Sequence, residues 1–379
     1  MKEIPRKVDC LIIGGGPAGA MAGLRLAEAG REVLLLERER EPRPKVCGEF
    51  LSAEAVGYLR ACGVEPVQHN ARQVKRMRFS AGSRVAQAEL PFPALALSRA
   101  VLDELLLKRA EACGCAVRRG VGVEKLTRTG DGWAAICEGG GTVSAAQVVL
   151  ASGKHDLRGW ARPAGPQNDL IGFKMRWRLQ PGQARALNAS IELHHFAGGY
   201  GGLVAVEDGA ANFSAVVRQS EFRRLGGWPR LLEHIRAGSR LVHERLAGAE
   251  PEWERPLAIS SIPYGYMARR ADGCWRVGDQ LAVIPSFTGD GMAIAMHSAA
   301  LAAEMLVAGR SIDEYQRAVA GQLQVGMRVA TALSRLMASP IAGLVAPAAM
   351  SVLPLALRSI ARATRIPARA LVMEKLTEE

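Results

Sequence analysis

Gly14, Gly16 and Gly19 follow a short apolar run at the spacing by which a backbone turn receives a pyrophosphate. Each has a mechanical role. Gly14 permits the tight turn, Gly16 lets the backbone approach the phosphates, and Gly19 lets helix and strand pack closely. Pro17 and Ala18 complete this turn, and the helix that follows it offers free N–H groups and a positive dipole end that suit an anion. Glu37 lies eighteen positions beyond Gly19, where a carboxylate accepts hydrogen bonds from both hydroxyls of a ribose and argues against a 2′-phosphate. The nucleotide is therefore NAD or FAD. Further along, His194 and His195 have the chemistry of a general base toward a phenol. In a strand they must point to opposite faces, so only one can meet a pocket, and His195 is the candidate.

The elements that would hold these residues are legible in the pattern. Residues 8–13 read as a buried strand, 20–30 as a helix closed by Gly30, and 32–37 as a second strand. Later motifs decide between the two nucleotides. Arg38 and the stretch Arg43-Pro44-Lys45 lead into Cys47-Gly48-Glu49, Leu97-Ser98-Arg99 opens another helix, and Gly278-Asp279 precedes Gly289-Asp290-Gly291-Met292.

Together these four ordered motifs resemble the superfamily of FAD-dependent monooxygenases and geranylgeranyl reductases, built on the hydroxybenzoate hydroxylase fold. The resemblance implies an α/β chain: a Rossmann-like FAD-binding domain, an inserted antiparallel-sheet substrate domain and a C-terminal helical segment. It implies FAD as cofactor, with NAD(P)H as a transient reductant or electrons from another protein, since no second nucleotide fingerprint occurs. In such proteins the aspartate of the Gly-Asp pair meets the ribityl chain, a role that falls to Asp279 beside Gly278. The following glycine loop would set Gly289, Gly291 and Met292 against the isoalloxazine, where a helix N-terminus stabilises the charge of the reduced ring. Arg99, with Arg38 and Arg43, would serve the phosphates and adenine, and Val123, Ala151 and Gly153 complete the implied cofactor contacts. Cys47, next to Gly48, matches the cysteine that geranylgeranyl reductases hold beside the flavin, as proton donor or as packing. Glu49 would polarise the thiol or bind substrate, and Tyr264, after Pro263, occupies the place of the reductases' aromatic segment at the pocket. Two departures stand against a direct transfer: Ser152-Gly153 replaces the Asp-Gly pair of many hydroxylases, and the reductases' fuller aromatic motif is missing.

The FAD-binding domain is expected to be discontinuous, from residues 1–71, 96–160 and 267–310. Residues 72–95 and 161–266 would form the substrate domain, whose alternating strands imply a sheet with one dry face roofing the flavin. Residues 311–379 would be helical. Within them, 336–357 is uncharged, but prolines at every seventh position make a membrane-spanning helix a poor reading. Arg358, Arg362, Arg365 and Arg369 then recur on one helical face, a docking stripe for an acidic carrier protein or an anionic membrane surface.

Composition agrees with a globular protein: 379 residues, 49% apolar, 23% charged. The net charge of +12 comes from forty Arg against nine Lys. No basic run interleaved with aromatics occurs, which excludes nucleic acid as partner. The seven cysteines lack metal-ligand or C-x-x-C spacing, so no metal is expected, and no secretory leader precedes the first strand. A cytoplasmic location with possible membrane association follows. The activity expected first is a single-component monooxygenase hydroxylating a small lipophilic phenol through a flavin hydroperoxide, a role in secondary metabolism. The alternatives are reduction of an isolated C=C bond with Cys47 as proton donor, or modification of a carrier-tethered or protein substrate.

Overall fold

The computed structural model describes residues 4–339, 342, 359–360 and 362–373. The chain begins with strand β1 (Lys7–Ile13), helix α1 (Pro17–Glu28) and strand β2 (Val33–Glu37). β1 and β2 pair in parallel and are buried on both faces, the usual condition of an apolar run that a helix crosses over. Next come β3 (Phe50–Leu51), α2 (Ala53–Ala61), the long hairpin β4 (Arg72–Ala81) and β5 (Arg84–Ala96), and α3 (Arg99–Ala112). Strands β6 (Ala116–Arg119), β7 (Val123–Thr129), β8 (Gly132–Cys137) and β9 (Thr142–Leu150) return to the first sheet. That sheet runs β6-β2-β1-β9-β8-β7, with α1 packed between its apolar face and two later helices.

The second sheet takes β10 (Leu170–Arg178), β11 (Ser190–Phe196), β12 (Gly199–Ala205) and β13 (Ala211–Arg218), with α4 (Pro181–Leu187) between the first two. Helices α5 (Gln219–Leu225), α6 (Trp228–Gly238) and α7 (Arg240–Arg245) precede the short strands β14 (Glu250–Pro251) and β15 (Leu257–Ser260). The chain then re-enters the first sheet through β16 (Trp275–Arg276) beside β9 and ends its described core with α8 (Gly291–Val307) and α9 (Ile312–Met337).

Two features of the second sheet differ from the sequence reading. It is not wholly antiparallel, because β11 pairs β4 in parallel with Leu193 beside Phe79. β4 arrives from a distant segment, so no hairpin dictates its direction. Nor does β10 have a wet face. The apolar residues Phe173, Met175 and Trp177 of β10 pack with Leu231 and Ile235 of α6. The alternate positions, Lys174 and Arg176, are also buried, and their charges are paired to Glu49 and to Asp208 and Glu252. On β10 the alternation holds, with its charged side on the inner face rather than in solvent.

Candidate functional site

The glycine turn is set by close approach of backbone. A Cβ on Gly14, at φ +107°, would lie 2.6 Å from the Ala151 carbonyl oxygen, and one on Gly19 would overlap the Gly14 carbonyl. Both positions therefore exclude a side chain. Gly16 is the N-cap of α1, without a side-chain cap, leaving the first N–H groups of that helix free for an anion. Glu37, at the end of β2, accepts from the Gly15 N–H at 2.5 Å and the Glu39 N–H at 2.9 Å, which aims its carboxylate at the turn.

Between the two sheets lies a cavity of about 390 Å³. Its wall joins the turn (Gly16, Pro17, Ala18), the 46–50 loop, Arg99, Ala151, Gly153, the Gly278-Asp279 pair and the Gly289-to-Met292 loop. The structure thus brings together most residues that the motifs nominated. Others stay apart: Arg38 is exposed and meets Glu39, and Val123 starts β7, packed against the cluster of Val8, Leu11 and Trp133. Arg43 likewise pairs Glu39.

Asp279 is held by Lys154, whose Nζ is 3.1 Å from its carboxylate, and Arg162 donates to its backbone oxygen. Lys154 went unnoticed in the sequence, although it follows Gly153 directly. Gly289 adopts φ +74° with Phe50 2.5 Å from where a Cβ would stand, and Gly291 faces open space at the uncapped start of α8. The N-cap Asp290 is buried, with the Thr364 side chain beside its carboxylate. Burial pushes its carboxyl up to about 7, against the pull of Arg365 at 3.8 Å.

Cys47 sits half-buried at the wall. Its Sγ accepts from the Glu49 N–H at 3.4 Å, and the Arg99 guanidinium also reaches it while pairing Asp103 at 2.7 Å. Glu49 meets the thiol through its backbone alone. Its side chain turns to Lys174 and to the Arg99 N–H at 2.9 Å, at a left-handed φ of 58°. Both ends of that ion pair are fully buried, and sequence reasoning missed Lys174 because β10 is remote in the chain.

His195 and His194 separate as strand geometry requires. His195 lines the cavity with Nε2 unpartnered, whereas His194 points to α7, with Nδ1 3.1 Å from Ser239 Oγ. Burial pushes His194 down to about 3 and lowers His195 as well. Tyr264 also lines the cavity, and burial raises its hydroxyl to about 12. It adjoins Tyr200, which reaches Ser286 and Ser334 at 3.5 Å, so three hydroxyl groups missed in the sequence complete this polar end.

The rest of the wall is apolar: Met77, Phe79, Ile191 and Leu193 from the sheet, Leu333 and Met337 from α9. Ile360, Thr364 and Arg365 close it from the C-terminal segment. This corrects the outward arginine stripe. Arg365 turns inward to pair Glu54 and stack over Phe92, because a guanidinium can bury against a carboxylate and a ring together. Arg362 is exposed, Arg369 lies in a short helical turn, and Arg358 and most of the 336–357 stretch fall outside the described residues. Among the described residues no helix is long and apolar enough to cross a membrane.

Comparison with known proteins gives the family and the fold. The FAD binding domain family matches residues 7–308. The menaquinone reductase of Mycolicibacterium smegmatis is 26% identical, over 88% of this chain and 85% of its own. Digeranylgeranylglycerophospholipid reductase 2 of Methanopyrus kandleri is 28% identical, over 81% of this chain and 78% of its own. Among solved structures, the flavin-dependent brominase Bmp2 aligns with a TM-score of 0.75 at 18% identity, covering 96% of this chain and 97% of that one. A geranylgeranyl bacteriochlorophyll reductase-like protein of Thermoplasma acidophilum gives 0.73 at 19% identity, covering 98% and 96%. At such identities the structures share the fold.

Proposed function

The chain belongs to the FAD-binding domain family and is an FAD-dependent oxidoreductase of the monooxygenase and geranylgeranyl reductase superfamily, and from that premise we propose that it reduces an isolated C=C bond in a lipophilic, prenyl-like substrate. The observation that carries this reading is the Cys47 thiol. It opens on the cavity that the uncapped starts of α1 and α8 also border, beside the cation of Arg99. The relatives named as reductases of menaquinone and of geranylgeranyl lipids support it.

The residues fit the cofactor. Gly14 and Gly19 keep the turn clear of side chains, and the α1 N-terminus would hold the diphosphate, Glu37 the ribose and Asp279 the ribityl chain. Bound FAD supplies two-electron chemistry, taking its electrons from NAD(P)H or a protein donor. The chain's own part is acid catalysis and exclusion of water. Cys47 gives its proton to the substrate carbon, and Arg99 faces the thiolate that remains. The apolar wall of Met77, Phe79, Leu193 and Met337 holds the hydrocarbon and keeps bulk water from the ring.

The test is anaerobic turnover. Holoenzyme reduced by dithionite should convert a prenyl substrate to a product two hydrogens heavier, without oxygen uptake in air. Cys47→Ser should lower turnover by about 100-fold at unchanged FAD content. A fully active variant would remove the thiol from the chemistry. Substrate-stimulated oxygen uptake with an oxygen atom in the product would instead establish the hydroxylation expected first from the sequence.

A further inference from the structure

His195 and Tyr200 are directly opposite on β11 and β12, so their side chains rise from the same face of the sheet into the cavity. His195 is 6% exposed. One ring nitrogen donates to the Met337 backbone carbonyl, while Nε2 has no partner among the described residues. With the N–H assigned to Nδ1 by that contact, the buried Nε2 presents a lone pair. Burial lowers the ring's pKa, so at pH 7 it is neutral, with one N–H as its donor and the other nitrogen as its acceptor.

The neighbouring hydroxyls do not occupy that lone pair. Tyr200 bonds Ser286 and Ser334, each at 3.5 Å, and Tyr264 shares the same group. Phe287 stands edge-on to Tyr200 at 5.9 Å between ring centres and also lines the cavity. A buried acceptor without a donor is costly, and a ligand that supplies one recovers the loss. A carbonyl or ether oxygen cannot do so.

We propose that the substrate carries a hydroxyl hydrogen-bond donor, a primary alcohol or phenol on the lipophilic body, and that His195 Nε2 accepts from it as the specificity-determining residue. This rests on the cavity being the substrate site of the proposed reductase. His195 fixes which end of the molecule lies at β11 and β12, and so which double bond lies near Cys47.

The experiment compares a prenyl alcohol, geranylgeraniol, with its methyl ether by titrating the flavin absorbance of oxidised holoenzyme. The alcohol should bind about 10-fold more tightly, a preference lost in His195→Phe through weaker alcohol binding alone. His195→Gln, which keeps an acceptor, should retain most of it and covers the case in which the phenylalanine variant fails to take up FAD. Equal binding of alcohol and ether by the wild type, binding of neither, or an undiminished preference in His195→Phe would overturn the proposal. A preference that tracks His195 without anaerobic reduction would leave it standing and remove the reductase reading instead.

Discussion

At the scale of single residues the site is shaped by charges that water does not reach. Glu49 and Lys174 lie 1% and 0% exposed, and the glutamate accepts the left-handed backbone that brings its N–H to Cys47. The ion pair thus holds the 47–49 loop, and the thiol with it. Lys174→Met leaves a buried carboxylate unpaired and should cost about 3–5 kcal/mol in urea unfolding. Glu49→Gln in the same chain should restore much of that, since the uncompensated charge is gone. If the double variant were no more stable than Lys174→Met, the pair would not be the source of the loss. Cys47 and His195 were legible because a motif or an alternation marks them locally. Lys174 was not, because its partner is 125 positions away and only the folded sheet brings them together.

At the scale of elements, the β1-turn-α1-β2 unit was legible because turn, cap and parallel strands are local in sequence. The role of the C-terminal segment was not, since the apolar residues of α9 and the residues after it would suit a docking helix equally well. α8 gives a prediction at this scale. Its dipole favours a carboxylate at the N-cap, yet desolvation wins and Asp290 rises from 3.8 to about 7. A raised carboxyl contributes its stability fully below the unfolded value near 4 and loses it as pH climbs through about 7. Asp290→Asn does not titrate. Its stability relative to wild type should therefore grow by about 4 kcal/mol between pH 4 and pH 8, read from urea unfolding across that range. Parallel curves for the two proteins would show that the carboxyl is not strained by burial.

At the scale of the whole molecule, the excess of arginine divides by where the guanidinium ends. Arg78 and Arg245 clamp Glu192, Arg176 joins Asp208 and Glu252, Arg276 holds Asp272, and Arg365 ties the C-terminal segment to Glu54. These are internal fastenings, in which arginine's fork outperforms lysine. The +12 that remains in sum is carried by surface positions such as Arg362 and Arg369. We propose that this outward charge brings the enzyme to an anionic surface or acidic carrier that presents its lipophilic substrate. Removing the C-terminal segment cannot test this, because Ile360, Thr364 and Arg365 are also cavity wall. Charge removal can. Arg362→Gln with Arg369→Gln should leave turnover of a detergent-dispersed short prenyl alcohol unchanged, while lowering turnover on anionic vesicles at low salt by several-fold. That difference should vanish near 1 M salt, where the Debye length falls to about 3 Å. Arg365→Gln should lower both activities at every salt concentration, because it frees the wall beside Asp290 and Glu54. If the paired surface variant instead matched wild type on vesicles at low salt, docking through these arginines would be excluded, and the net charge would be a property of the surface without a partner.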